Sequence, residues 1–251
     1  MTFPKKYLIF LFTLFLISCN STNDAKKKIP KKDLTEIFPN QLTSEEIAGG
    51  WELLFDGKKM EHWRSYNSDT LPNQGWYIDV EKNLVVEKGG GDLVTKRKFE
   101  NFDLKLEFQL SALANSGIFY RVLEKNDTAI WCNAIEYQLL DAKVLEKSKD
   151  LPLKNHATGD VYDLFSADYE TKISIGKWNQ ARIIVLNNYV EHWLNGQLIL
   201  EYKLATDDWN NLVAKSKFRN YPDFSKSTFG NIGLQEHGST VKFRNLKIKE
   251  L

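Results

Sequence analysis

Residues 102–110 read FDLKLEFQL. Phe102, Leu104, Leu106, Phe108 and Leu110 alternate with Asp103, Lys105, Glu107 and Gln109. A period of two is that of a β-strand, whose successive side chains turn to opposite faces. The stretch therefore predicts a strand with one face in a core and the other in water. Shorter runs of the same kind fall at 84–86, 118–122, 135–139, 181–185, 190–194, 198–202, 232–234 and 241–248. Asn195-Gly196, between HWL and QLIL, is a two-residue hairpin signal. Residues 42–47 suit a single helical turn with Ser or Thr as its cap. No long amphipathic helix and no internal repeat is visible. Many short strands within one domain length indicate an all-β sandwich or jelly roll.

Composition narrows the function classes. The chain has 251 residues, 42% hydrophobic and 27% charged, which permits a packed core and excludes global disorder. Lys plus Arg number 34 against 33 Asp plus Glu, so there is no bulk positive field and no nucleic-acid partner is expected. Aromatics reach 13%, with seven Trp, which suits contact with carbohydrate. Two Cys and four His rule out a multi-zinc or disulfide-stapled scaffold. Cys132, beside Ile130 and Trp131, reads as a small buried apolar residue, with a nucleophile as the alternative.

Residues 1–18 read as a signal peptide. Lys5 and Lys6 precede an apolar run from Tyr7 to Ile17, too short for a resident membrane helix. Leu16-Ile17-Ser18-Cys19 resembles the bacterial lipobox, which implies cleavage before Cys19 and its lipidation. Several acyl chains, at about 0.8 kcal/mol per buried methylene, would anchor the protein to a membrane. A bacterial cell-envelope lipoprotein, periplasmic or on the outer-membrane face, is the expected localisation. Residues 19–41, with Lys26, Lys27, Lys28, Lys31 and Lys32 and the prolines Pro30 and Pro39, read as a flexible tether. One domain, 42–251, follows.

Alternation also assigns faces. Ile135, Tyr137 and Leu139 go to the core, which turns Glu136 and Gln138 the other way. Gly117, Phe119 and Arg121 lie opposite Ile118, Tyr120 and Val122. Val190, His192 and Leu194 align against Glu191 and Trp193, and Gln235 and His237 against Leu234 and Glu236. Arg244 faces away from Val241 and Phe243. The result is a polar face of Arg, Glu, Gln and His. It suits a concave site for a polyhydroxylated ligand, with an ordinary solvated sheet face as the alternative.

Several motifs carry a resemblance. GWELLFDGKKMEHW (50–63), GGGDLVTKRKFENFDLKLEFQLSALANSGIFYRV (89–122), IEYQLLD (135–141), TGDVYDL (158–164), GKWNQARI (176–183), VEHWLNG (190–196) and GNIGLQEHGSTVKFRNLKIKEL (230–251) occur in order. Together they resemble the 3-keto-disaccharide hydrolase domain family, over about 42–251. The resemblance implies a concanavalin-like jelly-roll sandwich. It also implies action on glycosides oxidised to a ketone at C3. Such a carbonyl acidifies the C2 proton. A base removes it, the C1 substituent leaves, and water adds to the resulting enone. The paired-carboxylate spacing of ordinary glycosidases is not required.

The same resemblance implies roles. Glu136 of the E-x-Q motif is the first candidate acid or base, and Gln138 would orient sugar hydroxyls. Arg121 would stabilise developing negative charge. His237 is the second acid–base candidate, since imidazole suits proton transfer near neutrality. Asp141, Gln235, His192 and Arg244 are candidate substrate-binding residues, with a turn for Asp141 and packing for His192 as alternatives. Asp160 replaces a small apolar residue of the family pattern after Thr158-Gly159, and His156 stands in the same loop. No cofactor is expected. Neither H-E-x-x-H nor an EF-hand loop is present, and a structural calcium or a carbonyl-polarising metal has no motif behind it. The expected partners are a small carbohydrate and, through the lipid, a membrane. No oligomeric state is read from the sequence. A non-catalytic carbohydrate-binding module and a conventional two-carboxylate glycosidase are the competing readings.

Overall fold

The alternating stretch at 102–110 forms a nine-residue strand whose five apolar side chains are all buried. Burial of each such side chain contributes about 1.5–3 kcal/mol, which sets this strand in the middle of a core. The computed structural model describes residues 38–147, 155–167 and 173–251. In chain order the elements are α1 (Ser44–Ala48), β1 (Trp51–Leu53), β2 (Trp63–Ser65), β3 (Trp76–Ile78), β4 (Leu84–Val86), β5 (Leu93–Thr95), β6 (Phe102–Leu110) and β7 (Asn115–Val122). A 3₁₀ turn at Ile130–Cys132 precedes β8 (Ile135–Leu140) and α2 (Lys143–Lys147). Then come β9 (Asn179–Leu186), β10 (Tyr189–Leu194), β11 (Gln197–Lys203), α3 (Asp207–Lys215), a 3₁₀ turn at Lys217–Asn220, β12 (Asn231–Leu234) and β13 (Val241–Glu250).

Two antiparallel sheets make the jelly-roll sandwich. The larger runs β11-β10-β9-β6-β13-β4-β3, with β1 also on β13; the smaller runs β2-β5-β12-β7-β8. Between them, the inward residues of β6 meet Ile118, Tyr120, Ile135, Tyr137 and Leu139 in one cluster. Phe102 packs edge-on against Tyr120 with ring centroids 6.5 Å apart. The predicted hairpin joins β10 to β11, and Asn195 and Gly196 both take the positive φ that such a turn requires.

His192 belongs to this core. It is fully buried, with Nδ1 2.9 Å from the Gly159 carbonyl and Nε2 3.0 Å from the Tyr120 hydroxyl. The carbonyl only accepts, so Nδ1 carries the proton and Nε2 accepts from Tyr120. Burial holds its pKa down at about 4. The substrate-binding role expected for His192 is thereby corrected: its alternating strand position points inward, where no sugar reaches.

The signal peptide (1–18), Cys19 and the tether up to residue 37 lie outside the described residues. The domain starts slightly earlier than expected. Asn40 is buried, and its backbone and side chain exchange hydrogen bonds with Asn245 at 2.6 and 2.8 Å. Of the two cap candidates, Thr43 caps α1, and Glu46 completes a reciprocal capping box with it. Among the described residues no helix is long and apolar enough to cross a membrane.

Candidate active site

The site grows from the pairing of β7 with β8, which sets Gly117 opposite Gln138 and Phe119 opposite Glu136. Ile135, Tyr137 and Leu139 enter the core, so Glu136 and Gln138 project from the outer face of the smaller sheet. Part of that face is roofed by a second apolar cluster, where Phe119, Val122 and Val94 pack against Ile130 and Ala134. The remainder is a polar cavity of about 430 Å³, within the usual range for a small-ligand site. Gly117 makes room for it. A Cβ there would stand 2.3 Å from Glu136 Oε1, so the carboxyl lies where any other residue would place its side chain.

Glu136 is 6% exposed, and among the described residues none donates a hydrogen bond to its carboxyl. Burial pushes its pKa up to about 8, against the pull of Lys217 and with a further push from Asp92. Asp92, just before β5, lines the same cavity. Its carboxylate accepts the Glu236 N–H at 2.9 Å, yet burial raises it to about 6. The Gln138 side-chain nitrogen is held by Asn115 Oδ1 and the Ser116 carbonyl, both at 2.9 Å. Gln235 is 8% exposed, and its Oε1 is buried without a partner while the residue lines the cavity. A ligand hydroxyl would satisfy that acceptor.

The opposite wall comes from elsewhere in the chain. α3 is capped by Thr206, whose hydroxyl accepts the Trp209 N–H at 3.2 Å, and carries Asp207 and Asp208 in its first turn. Trp209 is buried in stacks with Tyr202 and Phe224, and Phe218 stacks on Phe224 at 3.9 Å. These anchors fix the turn at Lys217–Asn220 and bring the Lys217 ammonium over Trp131 and Tyr162, 4.6 and 4.0 Å from the ring centroids. Burial lowers the Lys217 pKa, opposed by Asp163 and Glu136. Tyr162 is pushed up to about 12 by burial and by Glu136, so its hydroxyl remains a donor.

Of the residues proposed from sequence, Glu136, Gln138, Gln235 and His237 share this cavity, His237 being exposed. The others do not line it. Arg121 leaves the shared face because β7 bulges. Asn231 pairs with Val122 and Gly233 with Phe119, so Tyr120 and Arg121 together oppose Ile232. Arg121 takes φ 52° and turns its guanidinium to Asn188 Oδ1 at 2.8 Å. Gly230 is required beside this bulge: a Cβ there would lie 2.4 Å from the Arg121 carbonyl carbon. The charge-stabilising role proposed for Arg121 is corrected accordingly.

Arg244 does face outward, but from the larger sheet. It pairs with Glu107 at 2.7 Å and lies over the Trp178 ring at 4.1 Å, so it binds no ligand in this cavity. Asp141 organises a turn, accepting the N–H groups of Leu113 at 2.8 Å and Lys143 at 3.1 Å. Asp160 is fully buried and accepts from Ala157 and Ala167 at 2.8 and 2.7 Å, which closes its loop. His156 supports the site from behind, edge-on to Tyr162 with centroids 4.9 Å apart. Cys132 is buried and, among the described residues, forms no disulfide. Among the described residues no group of three or more His, Cys, Asp or Glu is arranged to hold a metal ion.

Sequence reasoning missed Asp92, Asn115, Trp131, Tyr162 and Lys217 in the cavity wall. Asn115 and Asp92 stand inside quoted motifs. Lys217 had a weaker signal, the capped start Thr206-Asp207-Asp208-Trp209 of the helix that ends two residues before it.

A two-sheet jelly roll with carboxyls, amides and a lysine converging on one outer face defines a domain with a site for a small polar ligand. Residues 50–249 match the family described as 3-keto-alpha-glucoside-1,2-lyase-like domain, and the chain belongs to this family. It is 31% identical over 274 aligned positions to a 3-keto-disaccharide hydrolase of Bacteroides thetaiotaomicron, covering 94% of each chain. It is similar to a crystal structure of a candidate glycosyl hydrolase from Parabacteroides distasonis ATCC 8503, with 33% identity, coverage of 85% and 99%, and a TM-score of 0.78. A second candidate glycosyl hydrolase of that organism, 24% identical with coverage of 80% and 99%, has a TM-score of 0.62 and shares the fold.

Proposed function

We propose that the protein is an enzyme that hydrolyses 3-keto-glycosides by elimination and hydration. The observation that carries the reading is one cavity holding two carboxyls with pKa values pushed apart, Asp92 about 6 and Glu136 about 8, beside Lys217. At neutral pH the first is mainly ionised and the second mainly protonated. Such a pair divides into base and acid.

In this reading Asp92 takes the C2 proton, and the C2–H electron pair becomes the enolate of the C3 ketone. Lys217 holds its ammonium toward the enolate oxygen, where charge develops. The enolate pair then forms the C1–C2 double bond as the C1–O bond breaks, and Glu136 gives its proton to the departing oxygen. Water adds its hydroxyl to C1 and C2 regains a proton, so the sum is hydrolysis. Gln138, Gln235 and His237 bind the ring hydroxyls, and Trp131 and Tyr162 supply flat apolar surfaces for sugar C–H groups. His237, exposed at the mouth, is given a binding role in place of the acid–base role first considered. The lipid anchor and cell-envelope location belong to the same proposal, since they rest on the lipobox pattern at Cys19.

The test is paired substrates. A 3-keto-glucoside and its unoxidised parent are incubated separately with the protein. Cleavage of the ketone alone is expected. Cleavage of the parent at an equal rate would favour a conventional glycosidase, and cleavage of neither would leave a binding module.

A further inference from the structure

A second groove, of about 490 Å³, adjoins the cavity, and Lys217 lines both. Its rim carries Lys215 from the last turn of α3 and Arg219 from the following 3₁₀ turn. Both are exposed, and among the described residues neither has an ion-pair partner. Asp163 is the acidic residue in the lining. Its carboxylate is occupied, accepting the Lys217 N–H at 3.4 Å and standing 3.7 Å from His156 Nε2. Asp163 offsets one of the three cations, Lys217, so among the described residues the groove keeps an excess of positive charge, which the near-neutral chain as a whole does not.

We infer that this groove binds an anionic group on the leaving portion of the substrate, a uronate carboxylate or a sugar sulfate. The inference rests on the proposed reaction, since it places the keto sugar in the first cavity. A C1 substituent directed past Lys217 then enters the groove and meets Lys215 and Arg219. Arg presents a planar fork that matches either oxyanion, while Lys adds a point charge. Exposed cations of this kind act through modest, salt-screened attraction, so the effect is one of preference.

The test is a ratio of kcat/KM values. Three 3-keto-glucosides are compared, with glucose, glucuronic acid or glucose 6-sulfate as leaving group. The wild-type enzyme is expected to favour the anionic leaving groups by about five- to tenfold at low salt, the yield of two exposed ion pairs. The Lys215→Ala/Arg219→Ala double variant should bring that ratio to about one, and Lys215→Glu/Arg219→Glu should invert it. A preference for the uronate alone, or for the sulfate alone, lost in the double variant, identifies which oxyanion the groove accepts. A wild-type ratio of one, or a preference that both variants keep, overturns the inference while leaving the proposed reaction standing. Failure to cleave any of the three overturns both.

Discussion

Glu136→Gln is expected to lower kcat/KM on a 3-keto-glucoside with a sugar leaving group by about a hundred- to ten-thousandfold, the usual contribution of a positioned acid. Gln keeps the shape over Gly117 and loses only the transferable proton. The loss therefore depends on the leaving group. With 4-nitrophenol, which departs as an anion without help, the same variant should fall by less than about tenfold. The pH profile gives the same assignment independently. In the wild-type enzyme activity should fall as pH drops below about 6, where Asp92 takes up a proton and ceases to be a base. It should fall again above about 8, where Glu136 loses the proton it must donate. Glu136→Gln removes the upper limb. Asp92→Asn removes the lower limb, and its residual activity should decline through about 8. A residual activity that rises through 8 would reverse the two roles. Steady-state rates for the two leaving groups between pH 5 and 9 check all of these outcomes.

The same substitution should stabilise the protein, and increasingly so as pH rises. The Glu136 carboxyl has an ordinary pKa of 4.5 and one of about 8 in the fold. Below 4.5 it is protonated in both the folded and unfolded chain and costs nothing. Above 4.5 the unfolded chain ionises while the folded chain holds its proton, so stability is lost until the pH passes about 8. At pH 7 the accumulated cost is about 3 kcal/mol. Gln cannot ionise and escapes it. Urea unfolding at pH 5 and pH 7 should show the variant gaining on the wild-type enzyme by about 2 kcal/mol between the two, since about 1 kcal/mol of the cost is already present at pH 5. A gap that is the same at both values would mean that the buried carboxyl is charged in the fold. Activity and stability thus oppose each other at one residue, because the apolar seclusion that makes the acid useful also makes it costly.

Local patterns carried the fold and half of the site. The β6 stretch, the Asn195-Gly196 turn and the opposed faces of Ile135-Glu136-Tyr137-Gln138 all follow from a period of two, which any reader of the chain can count. Arg121 escaped that count because a bulge sits beneath it, and its φ of 52° leaves no mark in the residue type. Arg244 failed for another reason. Alternation tells which face a side chain takes, but not which of two sheets the strand joins, and β13 runs in the larger one. Lys217 and Asp92 reach Glu136 from distant parts of the chain through the stacked anchors Trp209, Phe218 and Phe224 and through the pairing of β5 with β12. Contacts made by tertiary packing have no local spelling. The unequal acidity of the two carboxyls is likewise a property of their burial, not of their sequence.

The central claim is that the C2–H bond breaks during turnover. The most direct measurement is cleavage of a 3-keto-glucoside in D₂O, with the released keto sugar analysed at C2 by mass spectrometry or NMR at times short against its spontaneous exchange. In the proposed reaction water enters the site after the leaving group departs, and the proton on half-buried Asp92 exchanges with it before C2 is reprotonated. The account predicts one deuterium at C2 for each bond cleaved. A product that retains its original hydrogen there would contradict it.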